Sequence, residues 1–365
     1  MSRVVVTGIG SVGPGGFGTG SLVRALDEGQ PLGGVETFDT PRGRRREMRV
    51  ARIAPFDPEP FIPARKLRRM DEVSQVWTVA CMLAHSDAGL DAAGSPDLPY
   101  PPEDRATFLG TGLGCIAATW EYLRELTAEG AAMANPFLFS ESVANAPAGH
   151  SAIELDARGP NCTLTCADAS AVAALSAAAR SIRDGRAKLA YCGGLELLPS
   201  LAVQTLAALG APGFLGEGCV ALVLESLESA LSRRARIYAE VAGLASGSDP
   251  RCGSSEWSRD ADRMAGVLRR AVKRSGRPAV RKVFLHASGF GAADEAESRA
   301  AAAVFPDAPV IRPSLVFGTL AAASGFSLAL SALDSSRLSS DEAQTVAAWS
   351  WGGGLHSVSL CGPPA

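Results

Sequence analysis

An α/β fold is what the sequence predicts, and three observations carry it. Short β-branched runs alternate with Ala/Leu-rich stretches of helical length, the pattern of strands and helices interleaved in packed layers. The chain has 365 residues and is 47% hydrophobic, enough to bury about three-quarters of its unfolded surface without disulfide or metal support. Each half also contains a strand–turn–helix unit followed by paired strands, although no strong internal repeat is visible.

The elements follow in chain order. Residues 3–7 (RVVVT) open as a strand, and Gly8, Gly10 and Gly13 follow it in a G-x-G-x-x-G pattern. A dinucleotide fingerprint needs a helix opening at the last glycine. Here Pro14-Gly15-Gly16 follow and break a helix, so a glycine bend is expected instead. Helices are predicted over 73–88, 116–129 and 169–183, the last of good helix formers throughout and stopped by Gly185 as a C-terminal cap. Strands are predicted over 106–109, 189–192 and 218–225. The Ser/Gly-rich segment 245–257 reads as a loop between two halves; the halves themselves are expected at 1–230 and 231–365. Beyond it come helices 259–274, 295–304 and 319–332, with strands 282–285, 345–350 and 356–361.

Composition removes several classes of function. Thirty-five basic against 38 acidic side chains give a net charge of −3, unlike a nucleic-acid binder. No run of 18 apolar residues is present, so no membrane span is expected, and the first residues do not read as a signal peptide. The eight cysteines form no C-x-x-C pair, which argues against a zinc site or a disulfide framework and for a reducing cytoplasm. Four histidines and four lysines leave few acid–base groups. Positive charge gathers at 41–52 and 64–69; this is either a solvated arginine-rich face or a docking patch for an acidic partner.

Segment 159–194 (GPNCTLTCADASAVAALSAAARSIRDGRAKLAYCGG) reads strand, tight turn, long helix, strand. A residue at such an elbow sits at a helix N-terminus, where the dipole and free N–H groups favour negative charge. An enzyme would place a nucleophilic thiolate there.

On these residues the chain resembles the ketosynthase branch of the thiolase superfamily, the β-ketoacyl-acyl-carrier-protein synthases. The likeness extends to RVVVTGIG at 3–10, the helix at 69–89, NAPAGHSAIELDARGP at 145–160, and 216–249. It implies a five-layered αβαβα thiolase-like fold built from two similar halves. It also implies an elbow cysteine, two histidines and a lysine that together drive decarboxylation and condensation.

Carried over position by position, that set is degenerate here. The nucleophile position, eight residues after Pro160, is Asp168. Its carboxylate would form a labile mixed anhydride, so a capping role at the helix N-terminus is the expectation. Cys162 and Cys166 lie nearby and are expected to be small buried hydrophobes. His286, in VFLHASGFGAADEAE, stands at the first histidine position, with Asp294 eight residues on. Ser314 stands at the lysine position and Thr319 at the second histidine position. A lone imidazole cannot form the pair that polarises a thioester carbonyl, so His286 reads as a relic in a polar pocket. Gly352 replaces a gating phenylalanine. His356 is either a hydrogen-bonded turn residue or an extra imidazole near the site, and His150 looks structural. The link between Leu209 and Gly216 is shorter than in active members.

The resemblance therefore points to a chain length factor, a non-condensing subunit that pairs with an active ketosynthase and shapes the tunnel for the growing chain. No cofactor of its own is expected, because the acyl group would ride on the phosphopantetheine of a partner carrier protein. Phe137, Leu138 and Phe139 are candidates for tunnel or interface lining, with ordinary core packing as the alternative. Lys66, Arg68 and Arg69 are candidates for carrier-protein docking. Two rivals stand beside this reading: a repurposed enzyme for acyl transfer, hydrolysis or decarboxylation using Asp168 and His286, and a homodimeric scaffold.

Overall fold

Hydrophobic alternation fails in the first strand, β1 (Val4–Gly13), because all ten positions are buried, as a strand covered on both faces requires. The bend expected at Gly8–Gly13 is thus strand. Its glycines serve packing: a Cβ at Gly8 would lie 2.2 Å from the Ala84 carbonyl oxygen, and one at Gly10 2.0 Å from that of Ala80. Only glycine lets the helix carrying those alanines lie on β1. This computed structural model describes residues 2–39, 43–91, 99–211 and 213–364; Pro41 and Arg42 of the basic segment and Pro212 of the short link lie outside them.

After a turn at Pro14 and Gly15 the chain forms β2 (Gly16–Phe17) and α1 (Gly18–Glu28), a helix that the Pro/Gly run conceals in the sequence. Next come β3 (Gly34–Asp39), β4 (Arg45–Ala51), α2 (Ala64–Leu67), α3 (Glu72–Asp87), β5 (Arg105–Thr111), α4 (Ile116–Glu129), α5 (Pro136–Ser142) and α6 (Ala146–Glu154). The elbow follows as β6 (Asn161–Leu164), a 3₁₀ turn and α7 (Ser170–Arg183). Then come β7 (Leu189–Glu196), α8 (Ser200–Ala208), β8 (Phe214–Gly216), β9 (Gly218–Ser226), α9 (Leu227–Ser232) and β10 (Ala239–Ser248). The chain ends with α10 (Ala261–Ser275), β11 (Ala279–Phe284), α11 (Gly291–Val304), β12 (Val310–Ile311), α12 (Ser314–Phe317), α13 (Ala321–Ser335), β13 (Glu342–Trp349) and β14 (Gly354–Cys361).

Two expectations change here. Residues 245–248, expected in a loop, complete β10 and pair with β14. Most of the arginine-rich segment is β4, matched to β3 from Gly34↔Val50 to Asp39↔Arg45. Met48 and Val50 are buried while Arg45 and Arg46, at the start of the strand, are exposed, so β4 is solvated at its first residues and buried toward its end.

The large sheet runs β12-β11-β13-β14-β10-β1-β9-β7-β5-β6. Outward from the central β1–β10 pair, each half repeats one pattern: two antiparallel pairings, then two parallel ones. Helices α7 and α13 lie between the two halves of the sheet, with α3 outside one and α10 and α11 outside the other. The result is five layers, αβαβα, and three buried apolar clusters fill the helix layers. Alanine dominates the facing side of α7, where Ala171, Ala174 and Ala178 are fully buried, so two sheets can close on one helix layer.

That symmetry positions the site. Asp168 precedes α7 and Thr319 precedes α13, so the two stand at equivalent strand-to-helix turns of the two halves. His286 follows β11 directly.

Candidate functional site

Asp168 sits in the 3₁₀ turn Ala167–Ala169, and its neighbour Ala167 is held at φ +47°. Ser170 clasps this elbow: its Oγ accepts from the Cys166 N–H at 2.9 Å and donates toward the Ala167 carbonyl at 2.6 Å. The N-cap of α7 is Ala169, without a side-chain cap. The expected capping role for Asp168 is therefore corrected. Its carboxylate turns inward, to a partner 118 residues further along the chain.

That partner is His286. Nε2 lies 3.1 Å from Asp168 Oδ2, and both residues are only 2% exposed. Glu297 on α11 anchors the strand end, accepting from the His286 N–H at 2.7 Å and the Ala287 N–H at 2.9 Å. Ser314 Oγ donates to the His286 carbonyl oxygen at 2.7 Å. Burial by itself would lower the His286 pKa. The hydrogen bond and charge of Asp168, with the Glu297 and Asp294 charges, outweigh it and raise the pKa. The buried ring thus takes up a proton more readily than a free histidine, with the Asp168 carboxyl as its hydrogen-bond partner.

Sequence reasoning missed two carboxyl groups here. Glu196, at the end of β7, accepts from the Gly112 N–H at 2.9 Å and the Leu113 N–H at 3.1 Å. Burial, with the Asp168 charge adding to it, pushes Glu196 up to about 8, so it holds a proton at neutral pH. Burial also raises Glu297, against the opposing His286 charge. The only local hint of Glu196 is its place after Gly193-Gly194; Glu297 has none, because helical spacing does not relate it to His286.

Thr319 does not join this group. Its Oγ1 donates to the Phe214 carbonyl at 2.9 Å, which ties it to β8. Backbone strain nevertheless marks all three family positions. Ala167 beside Asp168, Ala287 beside His286 (φ +49°) and Leu320 beside Thr319 (φ +102°) are three of the five non-glycine residues with positive φ among the described residues. Such conformations cost of order 1–3 kcal/mol each and persist only where the surroundings enforce them. The backbone frame of an active site remains while its side chains differ.

Five surface cavities of roughly 580–710 Å³ are lined by other residues, and neither Asp168 nor His286 borders them. Among the described residues no group of three His, Cys, Asp or Glu is arranged to hold a metal ion, and no helix is long and apolar enough to cross a membrane.

The remaining candidates scatter. Cys162 is exposed on the edge strand β6 and Cys166 is half-buried, so the expectation of two buried hydrophobes is corrected; β6 is the last strand of the sheet and pairs with β5 among the described residues. His356 is a strand residue opposite Ser246 and Ala348, not a turn residue, and it lines a cavity of about 710 Å³ with Cys166. Burial lowers its pKa. His150 Nε2 meets Glu141 at 2.7 Å, a structural pair. Phe137 and Phe139 are 67% and 56% exposed, so core packing is excluded for them. Leu138 lines a different cavity beside Leu197 and Leu198. Lys66 is engaged by Glu154 through both carboxylate oxygens, at 2.7 and 2.8 Å. Arg68 and Arg69 are exposed and have no such partner among the described residues.

Comparison with known proteins agrees with this geometry. Residues 1–213 match the family described as "Beta-ketoacyl synthase, N-terminal domain". A 3-oxoacyl-[acyl-carrier-protein] synthase 2 of Synechocystis sp. is 31% identical over 67% of this chain and 62% of its own length. An actinorhodin polyketide putative beta-ketoacyl synthase 1 of Streptomyces coelicolor is 30% identical over 79% of this chain and 66% of its own. The aligned part thus spans less than two-thirds of either relative. Among solved structures, the ishigamide ketosynthase/chain length factor superposes with a TM-score of 0.84 at 25% identity, covering 100% of both chains.

Proposed function

The chain belongs to the β-ketoacyl synthase family, and from that premise we propose that it is a non-condensing subunit, a chain length factor. It pairs with an active ketosynthase and shapes the tunnel in which an acyl chain grows on a carrier protein. One observation carries this reading: the nucleophile position is a carboxylate, Asp168, spent in a buried ion pair with His286. A carboxylate at that position is a poor substitute for a thiolate, since the mixed anhydride it would form with an acyl group is far more labile than a thioester. Thr319 and Ser314 donate to backbone carbonyls and supply no second imidazole or ammonium.

Support also comes from the surface. Trp120, Leu123, Met133, Phe137, Phe139 and Val143 are exposed large apolar residues on and between α4 and α5. A clustered apolar face of this kind suits a permanent partner. The likeness to a ketosynthase/chain length factor structure makes an active ketosynthase the partner of choice. Arg68 and Arg69 offer unpaired positive charge to an acidic carrier protein, while Lys66 is already committed to Glu154. The reading places the pair in the cytoplasm.

Co-expression with a thiol-bearing ketosynthase, followed by affinity capture and a malonyl-carrier condensation assay, tests this. A 1:1 heterodimer is expected, with turnover abolished by the partner's cysteine variant and retained in Asp168→Asn. Turnover by this chain alone that disappears in Asp168→Asn would establish the enzyme reading instead. A stable homodimer that leaves the ketosynthase fully active by itself would establish the scaffold.

A further inference from the structure

One aromatic residue outside the family's catalytic positions controls whether anything can reach His286. Trp257 lies in the loop between β10 and α10, and its indole stacks on the His286 ring, with centroids 5.3 Å apart and planes 24° apart. Phe290 packs on the same indole at 5.8 Å. Trp257 also lines a surface cavity of about 670 Å³ whose other walls are charged, among them Asp249, Arg251, Arg259 and Arg299. The indole is therefore what stands between that solvent-filled space and a fully buried imidazole.

We propose that Trp257 is a plug: it seals the Asp168–His286 pair from the charged cavity, and its withdrawal would join the two into one accessible site for small electrophilic ligands. The inference does not depend on the pairing role above, since a sealed pair is equally a feature of a gated enzyme.

The loop is built to hold the plug in place. Asp249 is its buckle, accepting from the Arg251 side chain at 3.1 Å, from the Arg251 backbone N–H at 3.2 Å and from Ser258 Oγ at 2.8 Å. The Arg251 bond, foremost, holds the Asp249 carboxyl down at about 2. Two backbone bonds of 2.9 Å fasten the loop to the glycine turn before β14, from Asp249 N–H to the Gly353 carbonyl and from Gly352 N–H to the Glu256 carbonyl. Gly353 must be glycine, since at φ +76° a Cβ would come within 2.5 Å of the Asp249 carbonyl oxygen.

The ring itself is not latched. Its indole N–H is buried without an acceptor among the described residues, so only stacking and packing retain it. Rotating outward would break no side-chain hydrogen bond. A rigid loop thus carries a ring held by apolar contact alone.

Carbethoxylation by diethyl pyrocarbonate, read residue by residue by peptide mass spectrometry, tests the plug on the full chain. The assay is run at about pH 8.5 to favour neutral imidazoles. His150, whose side chain is partly exposed, is the internal reference. In the native chain His286 should react at least about 100-fold more slowly than His150, because reaction needs local opening. Trp257→Gly should raise the His286 rate by at least about tenfold, and added indole should restore protection by filling the apolar hole. Should Trp257→Gly fail to fold, Trp257→Leu and Phe290→Ala give the same reading at smaller amplitude. Native His286 labelling as fast as His150 would overturn the plug. So would a folded Trp257→Gly or Trp257→Leu in which His286 stays as protected as in the native chain.

Discussion

At the centre of the molecule, Asp168 and His286 are each 2% exposed and hydrogen-bond to one another; at its rim, Phe137 and Phe139 stand 67% and 56% exposed on α5. The first region holds the polar groups of a ketosynthase frame, turned inward and capped by an indole. The second is an apolar surface that a monomer has no reason to keep. The polar groups at the family's positions are buried, while large apolar side chains stand in solvent on α5. The difference teaches that burial, more than residue type, separates the two regions, and that each calls for a different kind of test.

The largest effect should come from breaking the centre. Asp168→Ala leaves the buried His286 ring nitrogen without its hydrogen-bond partner, which costs about 1–3 kcal/mol; urea denaturation measures it. A loss below about 1 kcal/mol would mean that the pair does not stabilise the fold, and would remove the contrast with the rim. The reverse pattern is expected at α5. Phe137→Ser with Phe139→Ser should change the stability of the isolated chain by no more than about 0.5 kcal/mol. Capture of the ketosynthase should weaken by about 100-fold or more, as for clustered aromatic anchors; biolayer titration gives both variants' affinities.

Titration sharpens the comparison further, because His286, Glu196 and Glu297 at the centre are all shifted upward. The folded-state pKa values of His286 and Glu196 are both raised, Glu196 to about 8. A raised folded value means that the native state binds the proton more tightly. The stability this contributes is complete below the unfolded values, roughly 4.3 for Glu and 6.5 for His, and is lost as pH climbs through the folded ones. Stability should therefore fall between about pH 5 and pH 8, with a slope approaching 1.4 kcal/mol per pH unit for each titrating group. Glu196→Gln should flatten that slope in chemical denaturation series, while surface variants at α5 leave it unchanged. The smallest expected effect concerns strain: Ala167→Gly and Ala287→Gly should each stabilise by about 0.5–1 kcal/mol, since removing Cβ relieves a left-handed conformation at the loss of one methyl group. A thermal scan showing destabilisation by either would mean that those methyls pack more than they strain.

Some of this was legible in the sequence for identifiable reasons. Helix α4 is predicted at its observed bounds, and α7 to within one residue, because helix propensity and terminal glycines are local signals. The elbow position of Asp168 follows from spacing to Pro160, and the absence of thiol, ammonium and second imidazole is simple residue identity. Other features were hidden. β1 runs through glycines that read as a bend, since their purpose is contact with Ala80 and Ala84, some 70 residues away. Cys162 looks like a core residue by type and is exposed because β6 is an edge. Phe137, Leu138 and Phe139 are equivalent as letters; two face solvent and one lines a cavity.

By itself, then, the sequence determined the α/β pattern and the strand–turn–helix elbow, written in periodicity and turn residues; the layer order and the groups missing from the elbow came from the resemblance to the ketosynthase family. Tertiary structure alone decided where the remaining charges go. Asp168 meets His286 rather than the α7 N-terminus, Thr319 turns to β8, Glu196 keeps its proton, and Trp257 closes the centre. Each of these depends on residues brought together from different strands and helices. Burial and long-range neighbours set a side chain's charge state and partner, and neither is encoded in the residues beside it.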